Sequence, residues 1–175
     1  MLEVVFLLFL SEFIGYKASM GHPQLYYSST EFHFDPRVAN GTAWLSNNRT
    51  SNVIFNLGTE IKTMRVVFNV DLFRGARKFY NANITRDYCD SVKLFNGNGM
   101  WKIIHRAFFK VTNFPLSCPI AKNTYYVRKL SFPDHLLPAY LPALTFVAET
   151  TCFYQPYFNQ DELLMKYISH GRIIP

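Results

Sequence analysis

Charge is scarce in this chain. Asp, Glu, Lys and Arg make up 17% of its 175 residues, below the quarter usual for a globular domain. With 49% hydrophobic residues, that scarcity excludes a disordered chain, which needs high charge and few apolar groups. Cysteine is sparse too. Cys89, Cys118 and Cys152 are the three present; there is no Cys-X-X-Cys and no histidine spaced near them, which argues against a zinc finger. One disulfide plus one leftover thiol is the minimum reading. Gly-X-Ser-X-Gly is missing, and His22, His33, His105, His135 and His170 stand isolated along the chain, so no nucleophile and base can be nominated. His-X-X-X-His and a full dinucleotide fingerprint are missing as well. Gly97 and Gly99 read as a turn before a helix, and Asp87 and Asp90 as turn or sheet-edge residues around Cys89. The expectation is a non-enzyme with no catalytic residue, no metal and no cofactor.

Long apolar runs are also lacking, with one exception at the start. Val4 to Leu10 reads VVFLLFL, too short for the roughly 20 residues of a membrane span, and Glu12 and Lys17 interrupt it. Small residues follow at Ala18, Ser19 and Gly21, so residues 1–20 read as a signal peptide with cleavage between residues 15 and 21. The remainder, 21–175, has the length of a single domain. Three sequons agree with export: Asn40-Gly41-Thr42, Asn48-Arg49-Thr50 and Asn83-Ile84-Thr85, none with Pro in the middle. The chain is expected to be secreted, extracellular and glycosylated, where its thiols can oxidise.

The net charge of +6 is scattered, and Arg74, Arg77 and Lys78 form its densest patch. Outside the cell these would meet anionic headgroups or an acidic receptor; nucleic acid is not an expected partner. A solvated hairpin tip is the plain alternative.

What the chain has in quantity is aromatic residues, 17 Phe and 11 Tyr, which favour strands over a helical bundle. From Ile61 to Phe73, Met64, Val66, Phe68, Val70 and Leu72 alternate with Thr63, Arg65, Asn69 and Asp71, the period of a half-buried strand. Arg74-Gly75-Ala76-Arg77-Lys78 breaks the pattern as a hairpin turn would, and a second antiparallel strand starts at Phe79. A glycan on Asn83 must face solvent, which sends Tyr80, Ala82 and Ile84 to the other, buried face. Met100, Ile103, Ile104, Ala107, Phe108 and Val111 fall at helical spacing behind Asn98, so one amphipathic helix is expected near residues 98–111. Strands are expected again over 125–132 and 144–154, and earlier over 31–34 and 53–57. Leu163 to Ile174 fits a strand or a short helix. Short strands, turn signals and one helix predict a mainly β domain, a two-sheet antiparallel β-sandwich of lipid-recognition or immunoglobulin-like type.

Asn83-Ile84-Thr85-Arg86-Asp87-Tyr88-Cys89, then Asn113 with Ser117-Cys118-Pro119, then Tyr125-Tyr126-Val127, and finally Leu137-Pro138 with Leu141-Pro142 carry a family pattern across about residues 60 to 174. It resembles a large insect family of secreted proteins known mainly as a domain of unknown function, which includes relatives of the chemosensory B proteins. That family is similar in turn to lipid-recognition sandwiches such as the ganglioside activator protein, which holds lipid between its sheets. The resemblance implies a Cys89–Cys118 disulfide and a role in chemosensation or pheromone response. The chain departs from the pattern in lacking an N-terminal cysteine pair and in carrying Ala143-Leu144-Thr145-Phe146 where Gly and Tyr are usual. Cys152 has no family partner and reads as a buried thiol or an interchain link.

The function expected from these readings is binding of an apolar small molecule or lipid between the sheets. Met64, Val66, Phe68, Val70, Leu72, Ile84, Ile103, Phe108 and Phe146 are the candidate lining, although the same residues would fill a sealed core. The second reading is an extracellular accessory that binds a membrane receptor or channel through its surface.

Overall fold

The computed structural model of the chain describes residues 22–94, 110–115, 117–132, 134, 137–138, 140–157 and 160–175. Among them run eight strands and one short helix: β1 (Gln24–Phe34), β2 (Ala39–Asn47), β3 (Thr50–Leu57), β4 (Met64–Arg74), β5 (Arg77–Asp87), α1 (Tyr88–Leu94), β6 (Thr124–Leu130), β7 (Leu144–Tyr157) and β8 (Gln160–Ile174). They form a five-stranded sheet in the order β1-β8-β7-β4-β5 and a three-stranded sheet in the order β2-β3-β6, with every pairing antiparallel. The molecule is a mainly β, two-sheet sandwich, as its alternating strands predict. The signal-peptide reading at residues 1–20 lies outside the described residues. No helix among the described residues is long and apolar enough to cross a membrane.

The β4–β5 hairpin follows its sequence closely. Gly75 and Ala76 form the two-residue connection between β4 and β5, and Gly75 has φ 60°. That is the region open to glycine and the one that matches hairpin twist. On β5, Asn81, Asn83 and Thr85 are exposed while Ala82 and Ile84 are half-buried, so the register inferred from the Asn83 sequon holds. β8 resolves the ambiguity over 163–174: it pairs with β1 on one side and β7 on the other, and those two ladders of hydrogen bonds outweigh any local helical preference.

Three local features differ from the sequence reading. β2 went unpredicted because Ala-Asn-Gly-Thr-Ala-Trp carries little apolar alternation; its partner β3 draws it into the sheet. The expected amphipathic helix falls mostly outside the described residues, Ile103 and Phe108 included. Its last two residues are described and are not helical: Lys110 lies in a turn and Val111 in a bend, where the Val111 carbonyl accepts the Arg128 N–H at 2.7 Å. α1, at Tyr88, is a helix the sequence reading did not expect; it is started by Asp87, whose Oδ1 accepts the Asp90 N–H at 2.8 Å as an N-cap does.

The core is divided. One cluster holds Val38, Phe55, Leu57, Ile61, Met64, Ile120, Tyr125, Cys152, Tyr154 and Leu164 between the two sheets. A second holds Leu141, Leu144, Phe146 and Ile173, with Leu25, Tyr27 and Leu72 packed against it. Cys152 is 3% exposed and is free, so it is a buried thiol, with no access to another chain. Cys89 and Cys118 are joined in a disulfide, the pairing the family resemblance implies.

Candidate functional site

Cross-strand partners in a sheet project to the same side, so the pairings define the face of the five-stranded sheet that looks toward its partner. Along β4 that face carries Met64, Val66, Phe68, Val70 and Leu72. Phe68 lies between Ile84 on β5 and Thr150 on β7, and Val70 between Ala82 and Ala148. Leu72 is paired with Phe146. The alternation in sequence therefore selects one face correctly.

What the face does varies along its length. Met64, 2% exposed, belongs to the first core cluster, with Val66 packed against it. Phe146, 5% exposed, belongs to the second, with Leu72 against it. A Cβ on Gly171 would lie 2.5 Å from the Phe146 ring, so the ring is seated on the glycine and occupies that end of the face. Between the clusters, Val70 and Ile84 are half-buried and Phe68 is 39% exposed. The structure thus brings seven of the nine candidate residues to one face: Met64 and Phe146 are core, Val66 and Leu72 flank the core, and Phe68, Val70 and Ile84 lie between the two clusters. Ile103 and Phe108 lie outside the described residues.

Polar groups at the margins tie the sheets together. The Ser51 and Tyr167 hydroxyls are 2.7 Å apart across the two sheets, and the Tyr27 N–H donates to the Asn48 carbonyl at 2.6 Å. Burial pushes the Tyr27 phenol up to about 12, with Tyr167 contributing, and pushes the Cys152 thiol up to about 12. Burial also raises Tyr88 and Tyr167. These groups fold in their neutral forms. The unfolded chain therefore ionises first, and stability is full below about pH 9 and falls as pH rises toward 12. Urea midpoints measured from pH 7 to 11 are expected to drop steadily above pH 9; a flat profile would contradict this burial.

Two further constellations escaped the sequence reading. Asp35 accepts the Arg37 side chain at 2.7 to 3.1 Å, which holds its carboxyl below the usual value, and Arg37 also reaches Glu162 on β8 at 2.9 Å. The Asp-Pro-Arg spacing was the available signal. On the outer face of β1 and β8, His33 and His170 approach Glu31 at 3.6 and 3.9 Å. Histidines isolated in sequence are thus gathered by the β1–β8 register, which no spacing could disclose.

The basic patch does not act as three free cations. Arg74 and Arg77 face each other at the hairpin tip, but Lys78 is paired with Asp71 at 2.8 Å. The three sequon asparagines, Asn40, Asn48 and Asn83, are all exposed.

Comparison with known families reaches part of this framework. Residues 64–148 match DUF1091, a protein family of unknown function. The DUF1091 segment begins with β4, carries the β4–β5 hairpin, α1, both disulfide cysteines and β6, and ends within β7. It includes every candidate lining residue, whereas β1, β2, β3 and β8 lie outside it. No curated protein matches the chain.

Proposed function

We propose that the protein is a secreted glycoprotein that holds an apolar small molecule or lipid against the inner face of its five-stranded sheet. The observation that carries this reading is Phe68, a large aromatic 39% exposed on a face whose two ends are sealed by separate cores. A sealed sandwich buries such a side chain fully, since an aromatic contributes some of the largest apolar areas in a core. A ligand laid on Phe68, Val70 and Ile84 supplies the missing cover, each buried methylene contributing about 0.8 kcal/mol. The resemblance to chemosensory and lipid-recognition families supports the ligand class, and the disulfide supports an oxidising compartment.

The test is native mass spectrometry of protein from a secretory host, wild type beside Phe68→Asp and Val70→Trp. The wild type is expected to carry a co-purifying apolar molecule. Phe68→Asp places a charge under it and Val70→Trp takes its space, so both are expected to emerge empty, with urea midpoints lowered by less than a deep-core substitution lowers them and still cooperative. Wild-type protein that is repeatedly empty, and takes up no fatty acid on titration, sinks the proposal.

A further inference from the structure

The outer face of the three-stranded sheet holds an aromatic that the ligand reading does not use. Trp44 on β2 is 43% exposed. Phe55 on β3 lies in the core, so Ile54 and Asn56 lie on the opposite face with their partners Thr42 and Asn40, and Trp44, two residues further along β2, shares that face above Asn52, which is 5% exposed. All three residues of the alternating set Asn40, Thr42, Trp44 are exposed. Two of them are the asparagine and threonine of a sequon, and the third is the tryptophan.

The hydrogen bonds of this face set the orientation of the Asn40 amide. The Thr124 hydroxyl donates to Asn56 Oδ1 at 2.5 Å, and Asn56 Nδ2 donates to Asn40 Oδ1 at 3.1 Å. Asn40 is thereby held through its oxygen, and its nitrogen, the atom an N-linked sugar is attached to, is left at the β2 edge of the sheet. Four residues of strand separate Asn40 from Trp44, roughly 13 Å, a span the first few sugars of an N-glycan cover. The apolar C–H faces and acetamido methyls of those sugars suit an indole surface.

We propose that an N-glycan on Asn40 runs along β2 over Thr42 and packs its core sugars on Trp44, so that this chain's own glycan covers its exposed outer aromatic. The inference rests on the secretory part of the function proposed above and is independent of the lipid. Covered in this way, the face is closed to other partners, and trimming the glycan opens it.

The experiment uses full-length protein from a secretory host. Glycopeptide mass spectrometry of the wild type reads occupancy at Asn40, Asn48 and Asn83. An Asn48→Gln, Asn83→Gln, Trp101→Phe variant then leaves Asn40 as its single sequon and Trp44 as its single tryptophan, and acrylamide quenching of Trp44 is compared before and after enzymatic trimming. Trimming back to a single N-acetylglucosamine leaves the polypeptide unchanged, so folding is not in question. The Stern–Volmer constant is expected to at least double when the glycan is trimmed to a single N-acetylglucosamine, which is too short to reach Trp44. Equal quenching in the occupied and trimmed forms overturns the inference, as does an unoccupied Asn40 beside an occupied Asn48 or Asn83. A chain with none of the three occupied overturns the secretory reading with it, whereas an empty lipid site beside a covered Trp44 overturns the ligand alone.

Discussion

Replacing Phe55 with alanine is expected to lower the unfolding free energy by about 3 to 5 kcal/mol, the range for a buried phenylalanine. Phe55 is 4% exposed and stands where the two sheets meet. Its ring lies 6.1 Å from Phe34 on β1, 6.0 Å from Phe114 and 5.6 Å from Tyr125 on β6. The loss therefore combines the transfer of a large side chain with a cavity that three surrounding rings cannot close. Equilibrium urea unfolding followed by tyrosine fluorescence measures it as a shift in midpoint with little change in slope. Phe68→Ala is the control: the same chemical change at a site 39% exposed is expected to cost less than half as much. Equal losses at the two positions would mean that the sheets do not close over Phe55.

Removing the disulfide is expected to have an effect of similar size. The Cys89–Cys118 bond spans 29 residues, and closing such a loop in the unfolded chain corresponds to about 3 to 4 kcal/mol in the chain-entropy model. It also anchors α1 to the segment that leads into β6, on the side where Tyr88 donates its hydroxyl to the Pro115 carbonyl at 2.6 Å. Cys89→Ser with Cys118→Ser should lower the urea midpoint, and reductant should bring the wild type down to the same value. A thiol count on denatured, unreduced protein supplies the independent check. One reactive thiol is expected in the wild type, from Cys152, and none after Cys152→Ala. A reductant-insensitive midpoint would show that the loop is held by packing instead.

The two predictions draw on features that were unequally legible. The disulfide pairing was implied by a family pattern in which Asp-Tyr-Cys and Ser-Cys-Pro recur in order. Local spacing could not have chosen it, because three cysteines leave three possible pairs. Phe55 was placed on a strand by its neighbours Val53 and Leu57, yet nothing in that run marks it as the contact between sheets. That role depends on Phe34, Phe114 and Tyr125, which arrive from distant parts of the chain.

The candidate site divides in the same way. A period of two put Met64, Val66, Phe68, Val70 and Leu72 on one face, because alternation is a property of an extended backbone and needs no partner. Whether a residue on that face is core or accessible depends on what is laid over it. Met64 lies under the three-stranded sheet, Leu72 lies beside the second cluster, and Phe68 falls between them. Five residues identical in pattern thus have different surroundings. The Asn83 sequon shows the converse, since the requirement that a glycan face solvent is local and was enough to orient β5.

By itself, then, the sequence determined the strand periods, the Gly75 turn, the side of β5 that faces water and the mainly β class, because each follows from backbone geometry or from a residue's own chemistry. Only the tertiary structure decided that β2 is a strand, that 163–174 is a strand with a partner on either side, that Cys152 is sealed in the core, and that His33 and His170 meet at Glu31. Each of these depends on a partner far away in the chain, and the energy of pairing or burial is absent from either segment alone.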